Sequence, residues 1–138
     1  MQILEICSGR IQIGAFISVR NKRAHCPLLD ALEVLEEVHR AHKFRLMALM
    51  ELAAQQGLEA LSMDQCHLID GEHKVYEFRA GRLRLPFFKL ASGKVLIATH
   101  VFLKTTQKTP RSEVEKVIRQ KSKLMGYEET MEWKDELP

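Results

Sequence analysis

The stretch 75–110 constrains the fold more than any other part of the chain. It holds three strand-like runs, at 75–79, 82–88 and 95–104; the first two alternate between apolar and polar or basic side chains, and the third is largely apolar. A period of two is typical of a strand with one buried face, and a long apolar run is typical of a central strand. Gly81 permits a tight reversal between the first two runs. The stretch therefore predicts three neighbouring antiparallel strands.

Side-chain alternation also predicts which residues of these runs share a face. In the second run, Pro86 has no N–H to donate to a neighbouring strand, so it marks an edge position or a bulge. Three paired strands would bring cationic side chains from all three runs within reach of one another. In the third run one face is expected to carry Leu96, Ala98, His100, Phe102 and Lys104. The clustered cationic residues would be Arg79, Arg82, Arg84, His100 and Lys104.

The flanking segments predict helices that cover this sheet. Apolar residues recur at helical spacing over 27–40 and over 43–57, and a third helix is expected over 110–125. Residues 58–73 are expected to form a polar connection, and residues 15–19 are expected to form a further strand. The predicted fold class is α+β: a small, antiparallel-dominated sheet with an N-terminal helical hairpin packed on one face and a C-terminal helix.

Composition excludes several other classes of protein. A chain of 138 residues supports one domain with an ordinary hydrophobic core, and no run approaches the roughly 18 apolar residues that span a membrane. The three cysteines have no close spacing, and no CxxC or HxxxH pairing predicts a metal site. We therefore expect reduced thiols in a cytoplasmic protein that needs no metal or other cofactor and has no membrane partner.

The charge of the chain is unevenly distributed. Residues 1–73 hold 7 Lys/Arg and 10 Asp/Glu, whereas residues 74–125 hold 13 and 3, a net charge of +10. Residues 126–138 hold 1 and 5, a net charge of −4. A strongly basic segment in a protein of net charge +3 is the electrostatic pattern expected of a nucleic-acid binder. The alternative is a solvated basic face without a polyanionic partner.

Three strings in the basic segment resemble one family of proteins. VYEFR (75–79) resembles the strand YELR, RLRLPFF (82–88) resembles YRVLYFF, and IATHVFLKTTQKTP (97–110) resembles LLHGFVKKTQKTP of the RelE/HigB/ParE toxin superfamily. The last string is typical of its HigB-like, phage-associated branch. The resemblance covers about residues 15–125. It implies a single RelE-like domain over 1–125, with 1–14 as an extra segment and 126–138 as an acidic tail.

The resemblance implies a toxin of a type II toxin–antitoxin system. Many members of this branch are ribosome-dependent endoribonucleases (mRNA interferases), which cleave by attack of the RNA 2′-hydroxyl without a metal. The implied partners are a cognate antitoxin of helix-turn-helix type, the ribosome and mRNA. Two alternatives remain on the same fold: a ParE-like poison of DNA gyrase, and a non-catalytic phage-borne binding protein.

Metal-free RNA cleavage requires removal of the 2′ proton, stabilisation of a phosphorane and protonation of the departing 5′ oxygen. We expect Arg79 and Arg84 to clamp the phosphate, because a guanidinium can bind two of its oxygens. His100 is the candidate general acid or base, although a histidine in an apolar strand is also a common core residue. Lys104 would share in proton transfer or position the RNA backbone. The expected RNA-binding residues are Arg82, Phe102, Lys108 and Arg111.

These residues also have structural interpretations. Arg82 and Arg84 could bind an acidic surface of an antitoxin or of the chain's own tail instead of RNA. Phe102 could be a core residue instead of a platform on which a base stacks. The arrangement of the residues in space decides between these readings.

Overall fold

The computed structural model describes residues 1–90, 93–106 and 108–138, so Gln107 of the KTTQKTP string lies outside the described residues. The fold is α+β, as the sequence predicts. The described residues form three α-helices: α1 Pro27–Glu33, α2 Arg40–Gln56 and α3 Arg111–Leu124. They also form ten strands: β1 Gln2–Cys7, β2 Gln12–Phe16, β3 Ser18–Arg20, β4 Arg23–His25, β5 Cys66–Asp70, β6 Val75–Ala80, β7 Leu83–Lys89, β8 Val95–Ala98, β9 Phe102–Leu103 and β10 Glu132–Lys134.

Eight of these strands form one mixed sheet, and β3 and β4 form a separate hairpin. The order across the large sheet is β10-β1-β2-β8-β7-β6-β5, and β9 pairs with β7. Most neighbours are antiparallel, whereas β1 pairs with β10 and β2 pairs with β8 in parallel. Among the described residues, no helix has the length and apolar character needed to cross a membrane.

Helices cover both faces of the large sheet. Phe78, Leu85 and Phe87 face α1 and α2, where they pack in a core with residues such as Leu46 and Met50. The opposite face packs against α3, in a second core formed by Ile3, Val75, Phe88, Leu90, Ile97, Val117 and Leu124. Burial of alternate side chains on two faces explains why the strands at the centre of the sheet are largely apolar.

Two helical boundaries differ from those expected from the sequence. The first helix ends at Glu33 instead of about residue 40, and Val34 and Val38 lie exposed. Leu28 and Leu32 are buried in the core, and Leu29 and Leu35 pack against it while partly exposed. The second helix begins at Arg40 instead of about residue 43.

The segment 58–73, expected as a polar connection, contains the edge strand β5. Four of its five residues pair antiparallel with β6, with a register shift between Leu68 and Asp70. The prediction was wrong because the strand has only one neighbour and its side chains are mostly half-exposed, so it lacks the apolar pattern of a central strand.

The two terminal segments form part of the large sheet. Residues 2–7 form β1, which lies between β2 and β10, and Glu132–Lys134 of the acidic segment pair with it. A Cβ atom at Gly14 would lie 2.5 Å from the Trp133 ring and 2.4 Å from Cγ2 of Ile3. Glycine at this position therefore allows Trp133 to pack directly on the sheet.

Substitution of Gly14 by alanine is expected to destabilise the protein by about 1–3 kcal/mol, because the added methyl group overpacks this contact. Urea unfolding monitored by the fluorescence of Trp133, the single tryptophan of the chain, measures the change. Gly71→Ala is the matched control, since no atom lies within 4 Å of the Cβ position there. Equal unfolding midpoints for the two variants would contradict the proposed packing.

Candidate functional site

A bulge between β8 and β9 determines where His100 lies. Ala98 pairs with Phe87, whereas Phe102 pairs with Arg84, so the two registers differ by one residue. The N–H of Thr99 donates to the carbonyl of Pro86 at 3.0 Å. An extra residue in one strand reverses the faces of the side chains that follow it. The sequence-based prediction that Pro86 marks an edge or a bulge is confirmed.

The bulge places His100 on the α3 side of the sheet, whereas Leu96 and Ala98 belong to the core beneath α1 and α2. The expectation that these three residues share one face is therefore wrong. Alternation predicts a shared face only while the register is continuous.

The imidazole of His100 is held from both sides. Its Nε2 lies 2.6 Å from Oε2 of Glu113 on α3, and its Nδ1 lies 3.0 Å from the hydroxyl of Thr99. The side chain is 19% exposed, and burial lowers the pKa of His100, an effect that the Glu113 carboxylate opposes. This arrangement suits proton transfer, because the carboxylate orients the ring and stabilises it when it gains a proton.

A buried carboxylate organises the neighbouring part of the same face. Glu77 on β6 is fully buried; its Oε1 lies 2.9 Å from Nε of Arg79 and 3.7 Å from Nε of Arg84. The hydroxyl of Thr109 donates to both of its oxygens, at 3.1 and 3.0 Å. Glu77 therefore links two strands to the loop that precedes α3.

Arg79 and Arg84 are direct cross-strand partners but differ in their surroundings. The Arg84 side chain is 9% exposed and donates through Nη1 to the carbonyls of Gly81 and Leu83, at 2.7 and 2.9 Å. Burial lowers the pKa of Arg84, and Glu77 opposes this effect. Arg79 is 25% exposed, and its Nε is the atom that bonds Glu77. Arg79 is thus the better placed of the two to reach a ligand, whereas Arg84 is bonded within the sheet.

Phe102 lies between the two parts of this face. It pairs with Arg84 across the sheet, and its ring lies 5.8 Å from the His100 ring, with an interplanar angle of 28°. The predicted site residues Arg79, Arg84, His100 and Phe102 therefore lie on one face of the sheet, together with Glu77. We call these five residues the α3-face cluster.

The remaining predicted residues lie around the edges of this cluster. Arg82 donates through Nε to the carbonyl of Lys104 at 3.1 Å, so the two residues are neighbours at the β6–β7 turn. Within the described part of the chain, the ammonium groups of Lys104 and Lys108 form no ion pair. Arg111 begins α3 and pairs with Asp70 and Glu115, at 3.4 and 3.6 Å. Two carboxylates therefore already balance the charge of Arg111.

One group of side chains among the described residues has the spacing of metal ligands, and it lies outside the α3-face cluster. The ligand atoms of Asp70, Glu72 and His73 lie within 4.8 Å of one another at the β5–β6 turn. Asp70 already accepts bonds from the backbone of Glu72 and from Arg111, and its Oδ2 lies 3.2 Å from Nδ1 of His73. These hydrogen bonds close the β5–β6 turn, and they explain why the three side chains lie close together.

A comparison with protein families identifies the chain. The family described as Phage derived protein Gp49-like (DUF891) matches residues 32–122. The chain belongs to this family. The Gp49-like family is part of the RelE/HigB-like toxin superfamily, in agreement with the resemblance of the three strings. No curated protein matches the chain significantly.

The α3-face cluster lies wholly within the segment that matches the Gp49-like family. Outside the match lie β1, β2 and β10, which extend the large sheet on the far side of β8, and the separate β3–β4 hairpin.

Sequence reasoning missed four residues that hold the site: Glu77, Thr99, Thr109 and Glu113. The hydroxyl of Thr109 bonds Glu77, and α3 begins after Pro110 without a side-chain cap. The sequence did contain one indication that Glu77 and Glu113 are important. The basic segment contains only three acidic residues, and each pairs with a cationic side chain or a histidine: Glu77, Glu113 and Glu115.

Proposed function

We propose that this Gp49-like protein is a toxin of the HigB-like branch that cleaves mRNA on the ribosome. The observation that carries the proposal is the His100–Glu113 pair, which lies on the same face as Arg79 and next to Phe102. A histidine with an adjacent carboxylate supplies acid–base chemistry, and the neighbouring guanidinium supplies a phosphate ligand.

In the proposed reaction the 2′-hydroxyl of the RNA attacks the adjacent phosphorus, and the bond to the 5′ oxygen breaks. His100 removes the 2′ proton through Nδ1, the nitrogen that faces away from Glu113. The Thr99 hydroxyl leaves Nδ1 to the RNA by donating instead to the carbonyl of Pro86, 3.2 Å away. Glu113 stabilises the imidazolium that results. The 2′,3′-cyclic phosphate and a free 5′-hydroxyl are the expected products.

Arg79 and Lys104 are proposed to stabilise the phosphorane and to protonate the leaving oxygen. Arg79 keeps its outer guanidinium nitrogens partly exposed while Glu77 fixes its Nε. Lys104 and Lys108 follow β9 in the polar loop, and their ammonium groups are suited to the flanking phosphates. Phe102 offers an aromatic surface to a base. Arg84 acts through the sheet, by holding the β6–β7 turn that presents Arg79 and Arg82.

The proposed partners are the ribosome, which would present the mRNA, and a cognate antitoxin of helix-turn-helix type, which would neutralise the toxin. A protein with these proposed partners would act in the cytoplasm. The net charge of +10 over residues 74–125 supports a polyanionic partner.

The test is a map of mRNA 5′ ends after brief induction of the wild-type chain and of His100→Ala in cells. Cuts within translated codons, present with the wild type and absent with the variant, are the expected result. Growth arrest with intact mRNA and an induced DNA-damage response would favour the ParE-like gyrase poison instead. Absence of both arrest and cuts with a folded protein would leave the non-catalytic binding protein.

A further inference from the structure

A cavity of about 270 Å³ opens at the ends of two parallel strands. β2 and β8 run side by side, with Ala15 opposite Ala98, and both end at this cavity. After β2 the chain passes through the β3–β4 hairpin to α1 on one face of the sheet, and after β8 it passes through β9 to α3 on the other face. A crevice forms at the carboxyl ends of parallel strands where the connections separate in this way, and such crevices commonly bind ligands.

The walls of the cavity combine apolar and polar side chains. Phe16, Ile17 and Leu28 provide an aromatic and aliphatic surface, and Lys123 provides a cation from α3. Within the described part of the chain, this ammonium group forms no ion pair. Flat apolar walls with one cation at the side suit a planar, uncharged ring that is joined to an anion.

Thr99 connects the cavity with the α3-face cluster. It lines the cavity, and its hydroxyl lies 3.0 Å from Nδ1 of His100. A ligand in the cavity would therefore lie one residue from the imidazole proposed to take the 2′ proton.

Gln120 gives the cavity a group that lacks a partner. Its side-chain oxygen Oε1 is buried and accepts no hydrogen bond from the described residues. An unsatisfied buried amide oxygen destabilises the free protein, and a ligand donor that this oxygen meets when the side chain rotates into the cavity would remove this cost. Amide side chains also bind base edges, with their oxygen accepting from an amino or imino group.

We propose that the cavity binds one nucleotide of the RNA, with its base against Phe16, its polar edge at Gln120 and a flanking phosphate at Lys123. The proposal rests on the proposed function, since it places this nucleotide beside the one whose 2′-hydroxyl reaches His100. It assigns a role in base selection to residues of β2, which lies outside the family match.

The test has two arms, and both compare the wild type with Gln120→Leu. In the first, the four nucleoside 5′-monophosphates are titrated into the purified protein and binding is followed by NMR. Leucine removes the hydrogen-bonding group at similar size, so binding is expected to weaken about tenfold while the melting temperature rises by about 3 °C. Gln56→Leu, at the exposed end of α2, is the matched control and should change neither value. Phe16→Leu is a second variant, expected to weaken binding without the rise in melting temperature.

The second arm maps the base at the mRNA cut sites, where Gln120→Leu is expected to broaden the base preference. Lack of nucleotide binding at millimolar concentrations, or binding unchanged in both cavity variants, overturns the proposal. Weakened binding with an unchanged base preference assigns the cavity to a free nucleotide and overturns the RNA subsite. Cuts by the wild type without nucleotide binding would leave the proposed function intact and remove only the subsite. Nucleotide binding without cuts would overturn the proposed function, and the RNA subsite with it, and would leave only a cavity that binds a free nucleotide.

Discussion

Glu77→Ala is expected to lower the free energy of unfolding by about 3–5 kcal/mol, because removal of one partner leaves a buried charge without compensation. Glu77 is fully buried, and the Arg84 side chain beside it is only 9% exposed. The variant would also leave the Thr109 hydroxyl without its acceptors and release the loop before α3. Urea unfolding, followed by circular dichroism, measures the loss.

Glu115→Ala is the matched control, because it removes the same charge from the same protein. Its partner Arg111 is largely exposed, and exposed ion pairs contribute about 0–1 kcal/mol. A combined Glu77→Leu and Arg84→Met variant is expected to recover most of the stability lost in Glu77→Ala, since it removes both buried charges together. Equal losses in Glu77→Ala and Glu115→Ala would show that Glu77 has no structural role.

The pairing of β6 with β7 was predictable because the side chains of these two strands alternate without interruption. In β6 and β7, residues such as Phe78 and Leu85 face one core and Val75 and Phe88 face the other, as period-two alternation requires. The family strings come from the same part of the chain, so fold and superfamily could be predicted together.

The arrangement of the site was less predictable, because it depends on contacts between distant segments. The bulge after Ala98 turns His100 toward α3, and no local pattern indicates which residue is the extra one. Glu113 meets His100 only because α3 packs across that face of the sheet. A threonine just before a helix often accepts a hydrogen bond from a backbone N–H of the first turn. The hydroxyl of Thr109 instead donates to the buried carboxylate of Glu77, a charged acceptor from a distant strand.

His100→Ala is expected to lower the rate of mRNA cleavage by about 10²- to 10⁴-fold, the usual effect of removing a general acid or base. The rate is measured in single turnover with reconstituted ribosomes and a defined mRNA. His100→Gln should lose as much activity, because its amide retains hydrogen-bonding groups for Thr99 and Glu113 but takes no proton. His25→Ala is the matched control: His25 also pairs with a carboxylate, Asp30 at 2.8 Å, but belongs neither to the α3-face cluster nor to the residues that line the cavity. A similar loss in His25→Ala would mean that the effect comes from folding.

The dependence of this rate on pH separates a proton-transfer role from a packing role. Burial lowers the pKa of His100, although the Glu113 carboxylate opposes the effect, and a lowered pKa favours the neutral ring that accepts the 2′ proton. The cleavage rate should therefore fall as the pH drops through this lowered pKa. The Glu113 carboxylate raises the pKa of His100, so Glu113→Gln should move the fall in rate to lower pH. A fall at unchanged pH in Glu113→Gln would mean that a group other than His100 takes the proton, and the pair would then only position the loop.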